Sequence, residues 1–267
     1  MPEVGPWAEK KYRLIDYYNQ LFTTGTKNKF EHRVYIDLFA GAGKAKIQGT
    51  SKIVFTSSLL AMKIPDPYTE YLFCEQNGDQ LNALRNRTDT LFPGQTCEFF
   101  HGDCNVKIDG IISKIPRPSH SNRVLSFCFV DPYNLGLHFS TIEKLSEFRT
   151  DFLILLATDM DGARNVREYA KEDNPRINLF LGDSSWRSSW KKQETQGRGF
   201  SIFLLNAFTD RMIGMGYLAE SRTKMVHIRS DDRNLPLYRL ALYSKDGLAY
   251  RFWNDVRKYV LQPELEL

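Results

Sequence analysis

The sequence predicts an α/β fold built on a doubly wound, mostly parallel, seven-stranded sheet that ends in a C-terminal antiparallel hairpin. Short apolar segments rich in β-branched and aromatic residues alternate with segments of helical periodicity, a pattern that gives parallel βαβ units. Segments 124–130 and 151–157 are almost wholly apolar, as in strands that helices cover on both faces. Only a turn, SDDRN at 230–234, separates the last two strand segments, which predicts the hairpin at a sheet edge.

The elements follow in order along the chain. The first is a helix at 7–25, whose apolar residues recur at helical spacing. The predicted strands are 33–39, 68–75, 96–101, 124–130, 151–157, 224–229 and 236–243. The predicted helices between them are 56–64, 77–88, 105–115, 139–148 and 199–215. The polar, glycine-bearing stretch 158–198 has a weak helical pattern, and we interpret it as an insertion or lid after the fifth strand of a single domain spanning 1–267.

Composition narrows the class of protein. A chain of 267 residues with 42% hydrophobic and 25% charged residues is large enough for a substantial core. It has no apolar run long enough for a transmembrane helix and no apolar signal core in MPEVGPWAEKKYR, so we expect a cytoplasmic protein without a membrane partner. Cys74, Cys97, Cys104 and Cys128 form no CxxC pair, which predicts reduced thiols and no metal site. A net charge of +4 permits a polyanionic partner.

The segment VYIDLFAGAG, residues 34–43, places an acid in a strand and two glycines in the loop after it. A phosphate-binding P-loop would need Ser or Thr after Lys44, and a dinucleotide fingerprint would need a third glycine where Lys46 stands. S-adenosylmethionine needs only small residues against its methionine part and an acid for its ammonium group. Asp37, Gly41 and Gly43 offer both, so this cofactor is the favoured interpretation.

Acids also stand at the ends of the next three strands. Glu75 in FCEQN is placed to accept from both ribose hydroxyls, and Asp103 in HGDCN from an adenine amino group. The fourth acid is Asp131 in FVDPYN. The alternative for each acid is that it caps the following helix. The predicted cofactor-binding residues are Asp37, Gly41, Gly43, Glu75, Gln76, Asp103 and Cys104.

The predicted catalytic turn is Asp131, Pro132 and Tyr133, directly after the fourth strand. Amino-group methyltransferases use an acid or amide here to orient the target amine and an aromatic ring to stack on the flipped base. The alternative is a simple capping turn. The same tripeptide recurs at 66–68, before the second strand, so its position carries more weight than its composition.

Two basic segments are candidates for contact with nucleic acid. WRSSWKK and the residues after it bring Arg187, Lys191, Lys192 and Arg198 together with two tryptophans, which suits phosphate neutralisation and base stacking. The tryptophans lie four residues apart, so packing on one helix face is the alternative. Lys44 belongs to a second basic set in the loop after the glycines, for which the alternative is a solvated loop.

With these motifs in place, the sequence resembles the class I S-adenosylmethionine-dependent methyltransferases and, more closely, the bacterial and phage family called three-Cys-motif partner proteins. The resemblance covers most of the chain. Its carriers are Trp7, Tyr17, YIDLFAGAG, FCEQN, HGDCN, FVDPYN and PLYRLALYS. DLFAGAG and DPY are also similar to elements of RNA and DNA amino-methyltransferases. One departure from the usual pattern is the segment KAKIQGTSKIVFT, which separates the glycines from the helix at 56–64 and is expected to form a loop over the cofactor or the substrate.

The resemblance implies a Rossmann-like methyltransferase fold, S-adenosylmethionine as cofactor, and the cofactor and catalytic residues named above. It also implies a partner, a radical-S-adenosylmethionine protein with three cysteines. This chain lacks a CxxxCxxC cluster and is not that partner itself. We therefore expect methyl transfer to an exocyclic amine of a nucleobase in RNA or DNA. The alternatives are a non-catalytic module that acts with the radical protein, and a methyltransferase for a small molecule or a protein.

Overall fold

The fold is taken from a computed structural model that describes residues 1–197, 199–230 and 234–261. The strands are β1 (Glu3–Val4), β2 (His32–Asp37), β3 (Lys44–Ile47), β4 (Ile53–Phe55), β5 (Glu70–Glu75), β6 (Cys97–His101), β7 (Val124–Val130), β8 (Thr150–Leu156), β9 (Val226–Arg229) and β10 (Pro236–Tyr243). The α-helices are α1 (Ala8–Thr26), α2 (Ser57–Met62), α3 (Gly78–Leu91), α4 (Cys104–Ile112), α5 (Phe139–Ser146), α6 (Val166–Tyr169), α7 (Arg176–Leu181), α8 (Trp186–Glu194), α9 (Phe200–Gly214) and α10 (Gly247–Leu261). A π-helical turn spans Thr158–Gly162, and a 3-10 turn spans Ala219–Arg222.

Seven of these strands form one sheet in the order β6-β5-β2-β7-β8-β10-β9. β2 is parallel to β5 and β7, and β5 is parallel to β6, whereas β10 is antiparallel to both β8 and β9. The predicted mostly parallel sheet with a C-terminal antiparallel hairpin is therefore confirmed. Each predicted strand corresponds to one strand of this sheet, with ends that differ by no more than two residues. Residues 231–233 of the predicted hairpin turn lie outside the described residues.

The segment between the glycines and α2, predicted as a loop, instead forms strands β3 and β4. With β1 they make a separate three-stranded sheet in which β1 is parallel to β3 and β4 is antiparallel to it. Backbone N–H groups of Lys46 and Gln48 donate to the carbonyls of Pro2 and Val4 at 2.9 and 2.8 Å. The N-terminal residues therefore satisfy the edge of a segment that directly follows the glycine loop.

Helix α10 lies beyond the last predicted element and packs against α1. The fully buried ring of Trp253 meets Tyr18 edge-on, with ring centroids 5.9 Å apart. The ring of Phe252 fills the space above Gly25, where a Cβ would lie 2.3 Å from its Cζ atom. These contacts make α10 part of the core built around α1.

The described chain divides into two compact units, Met1–Phe129 with Asp246–Leu267, and Val130–Lys245. Aromatic rings of Tyr18, Tyr35 and Phe127 fill the core of the first unit. In the second unit, Phe208 packs between Phe139 and Phe180 at centroid distances of 5.3 and 5.0 Å. That the whole chain acts as one domain stays a prediction.

The stretch after β8 belongs to the second unit. It consists of the π-helical turn followed by the short helices α6, α7 and α8, so the predicted helical insertion after the fifth strand of the sheet is confirmed. None of the helices in the described part of the chain is long and apolar enough to cross a membrane.

Candidate functional site

The loop after β2 turns through two glycines in the left-handed region, Gly41 at φ 60° and Gly43 at φ 77°. A Cβ on Gly43 would lie 2.8 Å from side-chain atoms of Leu59 and Leu84. A Cβ on Gly41 would meet only the side-chain oxygen of Gln80, at 3.7 Å. Gly43 thus lets the loop pack on α2 and α3, whereas Gly41 leaves room for another group to approach the backbone.

The structure brings Glu75 and Gly41 together. One oxygen of the Glu75 carboxylate accepts from the N–H of Gly41 at 2.9 Å, and the other accepts from the N–H of Asn77 at 2.8 Å. Asn77, and not Glu75, caps helix α3, because its side chain accepts from the N–H of Gln80 at 3.0 Å. Glu75 is half-buried, and each of its oxygens keeps a further lone pair for a ligand hydroxyl.

Asp37 is completely buried at the end of β2. Its carboxylate accepts from the N–H of Phe39 at 3.2 Å and from the hydroxyl of Tyr35 at 3.3 Å. Burial, followed by the charge of Asp37, raises the pKa of Tyr35, so this hydroxyl stays protonated and donates. In the structure Asp37 organises the start of the glycine loop, and its contact with an ammonium group stays a prediction.

Asp103 is the acid for which the capping alternative is confirmed. Its side chain precedes α4 and accepts from the N–H of Asn105 at 2.8 Å. The carboxylate is solvent-exposed, as is Gln76 after β5. A cap and a cofactor contact are compatible, because the second oxygen of Asp103 has acceptor capacity of its own.

The thiols beside these strand ends stay protonated at neutral pH. Burial, and then the charge of Glu75, raises the pKa of Cys74 to about 12. Burial likewise raises the pKa of Cys104. Neither Cys74 nor Cys104 is therefore available as a thiolate nucleophile at neutral pH. Within the described ranges, no three His, Cys, Asp or Glu side chains are grouped so that they could hold a metal ion.

Two side chains that the sequence analysis missed also hold the glycine loop. Arg87 of α3 donates to the carbonyl of Ala42, and the hydroxyl of Ser58 in α2 donates to the carbonyl of Ala40 at 3.0 Å. The N–H of Thr56 donates to the carbonyl of Gly43 at 2.9 Å. No local motif marks Arg87 or Ser58, because both reach the loop from helices later in the chain.

The predicted catalytic turn follows β7 directly. In the register of the sheet, Phe129 of β7 is paired with Asp37 of β2. Asp131 is half-buried, while the side chain of Tyr133 is 81% exposed. Helix α5 begins only at Phe139, so Asp131 does not cap it.

The structure sorts the predicted nucleic-acid residues. Trp186 and Trp190 are 1% and 6% exposed and pack against Phe200 and Phe203, which confirms the packing alternative and excludes base stacking on them. The guanidinium of Arg187 donates hydrogen bonds within the protein. The acceptors are the side chain of Asn178 and the carbonyls of Ala170, Lys171 and Asn174. A phosphate-binding role for Arg187 is therefore disfavoured by its own geometry.

The other predicted cations differ in setting. Lys191 and Lys192 are exposed on α8, so their contact with nucleic acid stays a prediction. Arg198 lies outside the described residues. The ammonium of Lys44 lies 5.4 Å from the ring centroid of Phe55.

The chain matches no protein-family model and no curated protein. Among solved structures, it is similar to an O-methyltransferase from Bacillus cereus in complex with SAH, with a TM-score of 0.51 and 10% identity over 91% of this chain and 82% of that one. The chain has the Rossmann-like methyltransferase fold. It is also similar to protein LPL1258 from Legionella pneumophila, with a TM-score of 0.50 and 10% identity over 93% and 92% of the two chains. At this identity the likeness establishes the fold, and the residues of this chain must carry the chemistry.

Proposed function

We propose that the chain is an S-adenosylmethionine-dependent methyltransferase. The observation that carries the proposal is the Glu75–Gly41 pair, in which a half-buried carboxylate is bound to the backbone of a positive-φ glycine. A ribose diol needs an acceptor of this kind, and the open space at Gly41 lets a nucleoside approach the chain closely. The residues present therefore fit the cofactor.

The other predicted cofactor residues have distinct proposed roles. Gly43 shapes the loop, Asp37 anchors its start, and Asp103 and Gln76 present polar atoms to the nucleoside, beside the buried side chain of Cys104. When bound, S-adenosylmethionine supplies an electrophilic methyl group on a sulfonium. The protein contributes position and exclusion of water, for which no metal is required.

The substrate that we propose is an exocyclic amine of a nucleobase. Asp131 would accept a hydrogen bond from the amine, and the exposed ring of Tyr133 would stack on the base. The raised pKa values of Cys74 and Cys104 disfavour base methylation at carbon through a thiolate of either residue, because that reaction needs an ionised cysteine. A small-molecule or protein substrate is the alternative.

The second candidate function is a non-catalytic module. It is favoured by the single proline in DPYN, since amino-methyltransferases often carry two. The resemblance to three-Cys-motif partner proteins supports it too, and with it a radical-S-adenosylmethionine partner.

All four cysteines are free thiols, which supports our expectation of a reducing, cytoplasmic setting.

Methyl transfer with Tyr133 variants separates the two candidates. Purified protein is given S-adenosylmethionine carrying a tritiated methyl group, with bulk RNA or DNA, and modified nucleosides are identified by mass spectrometry. Tyr133→Phe should retain transfer because it keeps the ring, whereas Tyr133→Ala should lose at least about tenfold, or 1.4 kcal/mol. Cofactor binding without transfer to either nucleic acid would favour the module. Equal transfer by Tyr133→Ala and the parent would remove Tyr133 from the site.

A further inference from the structure

The second unit offers a cationic surface that the sequence analysis did not single out. Residues 163–168 and Lys171 line a cavity of about 650 Å³, and Arg164 and Arg167 are among them. Glu168 is the only acid among the described residues that line this cavity. One of its carboxylate oxygens lies 2.5 Å from Nζ of Lys171, so these two charges form an ion pair. Arg164 and Arg167 are exposed, and neither makes an ion pair or hydrogen bond through its side chain within the described ranges. Two cations there are thus available to an anionic ligand.

This surface is bound to the turn that carries Tyr133. The N–H of Leu135 donates to the carboxylate of Asp161 at 2.8 Å, and the same carboxylate accepts from Asn165 at 2.7 Å and from the hydroxyl of Tyr169 at 2.8 Å. Burial, and then the hydrogen bond to Asp161, raises the pKa of Tyr169 to about 12, so this hydroxyl remains a donor. Asp161 therefore holds the cavity segment against a residue two positions beyond Tyr133.

A third arginine stands at the same turn. The guanidinium of Arg176 lies 3.1 Å from the position that a Cβ on Gly136 would take. Arg176 is half-buried at the start of α7, which follows the cavity segment along the chain. The Leu135–Asp161 bond and the approach of Arg176 to Gly136 therefore connect the cavity segment and a third arginine to the chain directly after Tyr133.

We propose that Arg164, Arg167 and Arg176, together with Tyr133, bind single-stranded nucleic acid, and that the arginines contact its phosphodiester backbone. The arginines neutralise phosphates on either side of the nucleotide whose base stacks on Tyr133. Aromatic faces combined with a cationic track are the general device for holding single strands. The inference rests on the proposed function, and it moves the nucleic-acid contacts from the WRSSWKK segment, whose tryptophans are buried, to the segment after the π-helical turn.

The test is fluorescence anisotropy of labelled single-stranded RNA and DNA with the full chain at several salt concentrations. Each phosphate contact contributes about −0.7 to the log–log slope of affinity against salt, so Arg164→Ala/Arg167→Ala should flatten the slope by about 1.4 and weaken binding at least about tenfold. Arg164→Lys/Arg167→Lys should keep the slope because it keeps the charges. Tyr133→Ala should weaken binding about tenfold and leave the slope unchanged, since stacking releases no counterions.

The matched control is Arg251→Ala/Lys258→Ala, which removes two exposed cations from α10 and should keep the slope of the parent. Melting temperatures of both alanine pairs should equal that of the parent, because the side chains removed are exposed. An unchanged slope in Arg164→Ala/Arg167→Ala, or a flattened slope in the control alone, would overturn the inference and leave the proposed methyltransferase intact. A parent that binds neither RNA nor DNA would overturn both the inference and the proposed nucleic-acid substrate. The binding of S-adenosylmethionine, measured separately, tests the methyltransferase proposal independently of that outcome.

Discussion

Glu75 and Gly41 are joined by a 2.9 Å hydrogen bond from the glycine N–H to the carboxylate, across 34 residues of sequence. The bond links the ends of β2 and β5, two neighbouring parallel strands, at the edge where ligands of doubly wound sheets bind. The bond therefore fixes the Glu75 carboxylate against the backbone of the glycine loop.

The two loop glycines should differ when each is replaced by alanine. Both changes place a side chain at positive φ, which costs about 1–2 kcal/mol. Gly43→Ala also forces a Cβ against Leu59 and Leu84, so its free energy of unfolding should fall by a further 1–3 kcal/mol, roughly. Gly41→Ala should keep more stability and lose affinity for S-adenosylhomocysteine. Urea unfolding and calorimetry measure the two effects, and equal stability losses would contradict the packing described for Gly43.

Asp103 should show a capping effect and a binding effect that separate by chemistry. Asp103→Asn keeps a cap of nearly equal strength and an oxygen acceptor, so stability and S-adenosylhomocysteine affinity should change little. Asp103→Ala should cost about 1 kcal/mol of stability through the lost bond to Asn105. If Asp103 also contacts adenine, affinity should drop about 2–12-fold, the size of one hydrogen bond. If Asp103→Ala loses about 1 kcal/mol of stability but keeps its affinity for S-adenosylhomocysteine, Asp103 acts only as a helix cap.

Stability should decline as pH rises above about 9. The pKa of Cys74 is raised from 9.0 to about 12, and those of Cys104 and Cys128 are raised as well, in each case chiefly by burial. Thiols of the unfolded chain ionise from about pH 9 while those of the folded chain do not, so the stabilising difference is present below that pH and is lost above it.

Each such thiol contributes a loss of about 1.4 kcal/mol per pH unit once the unfolded group is ionised. Urea unfolding at pH 8, 9 and 10 under reducing conditions measures the slope, and Cys74→Ala should show a shallower one than the parent. Identical slopes in the parent and Cys74→Ala would mean that this thiol ionises as readily in the folded protein as in the unfolded chain.

The sequence was most informative where structure follows from local pattern. The apolar runs gave all seven strands of the main sheet, and because parallel strands share one C-terminal edge, the acids at their ends could be placed there. Strands β1, β3 and β4 were not predicted because each has four residues or fewer, and because β1 pairs with β3, which lies far along the chain. Helix α10 did carry a signal, since Tyr250, Trp253 and Val256 recur at helical spacing.

Within the candidate site, the residue types could be predicted but not their partners. Strand position indicated Glu75, yet only the folded chain shows that its carboxylate holds Gly41. The basic and aromatic composition of WRSSWKK suggested a surface for nucleic acid, whereas packing buries its tryptophans against Phe200 and Phe203. Composition does not reveal which face of a short helix meets the core, so only the structure could decide between the nucleic-acid surface and the packing alternative.

The most direct test of the central claim is calorimetric titration of the full chain with S-adenosylmethionine and S-adenosylhomocysteine. The parent should bind both. Glu75→Ala should bind about 10–150-fold more weakly, because one charge-assisted hydrogen bond contributes about 1.5–3 kcal/mol. Glu98→Ala, which removes a half-buried acid of β6 that pairs with Lys114, should bind like the parent. A parent that gives no heat with either ligand, in a protein whose folding is verified by its unfolding transition, would contradict the claim that this sheet edge binds the cofactor.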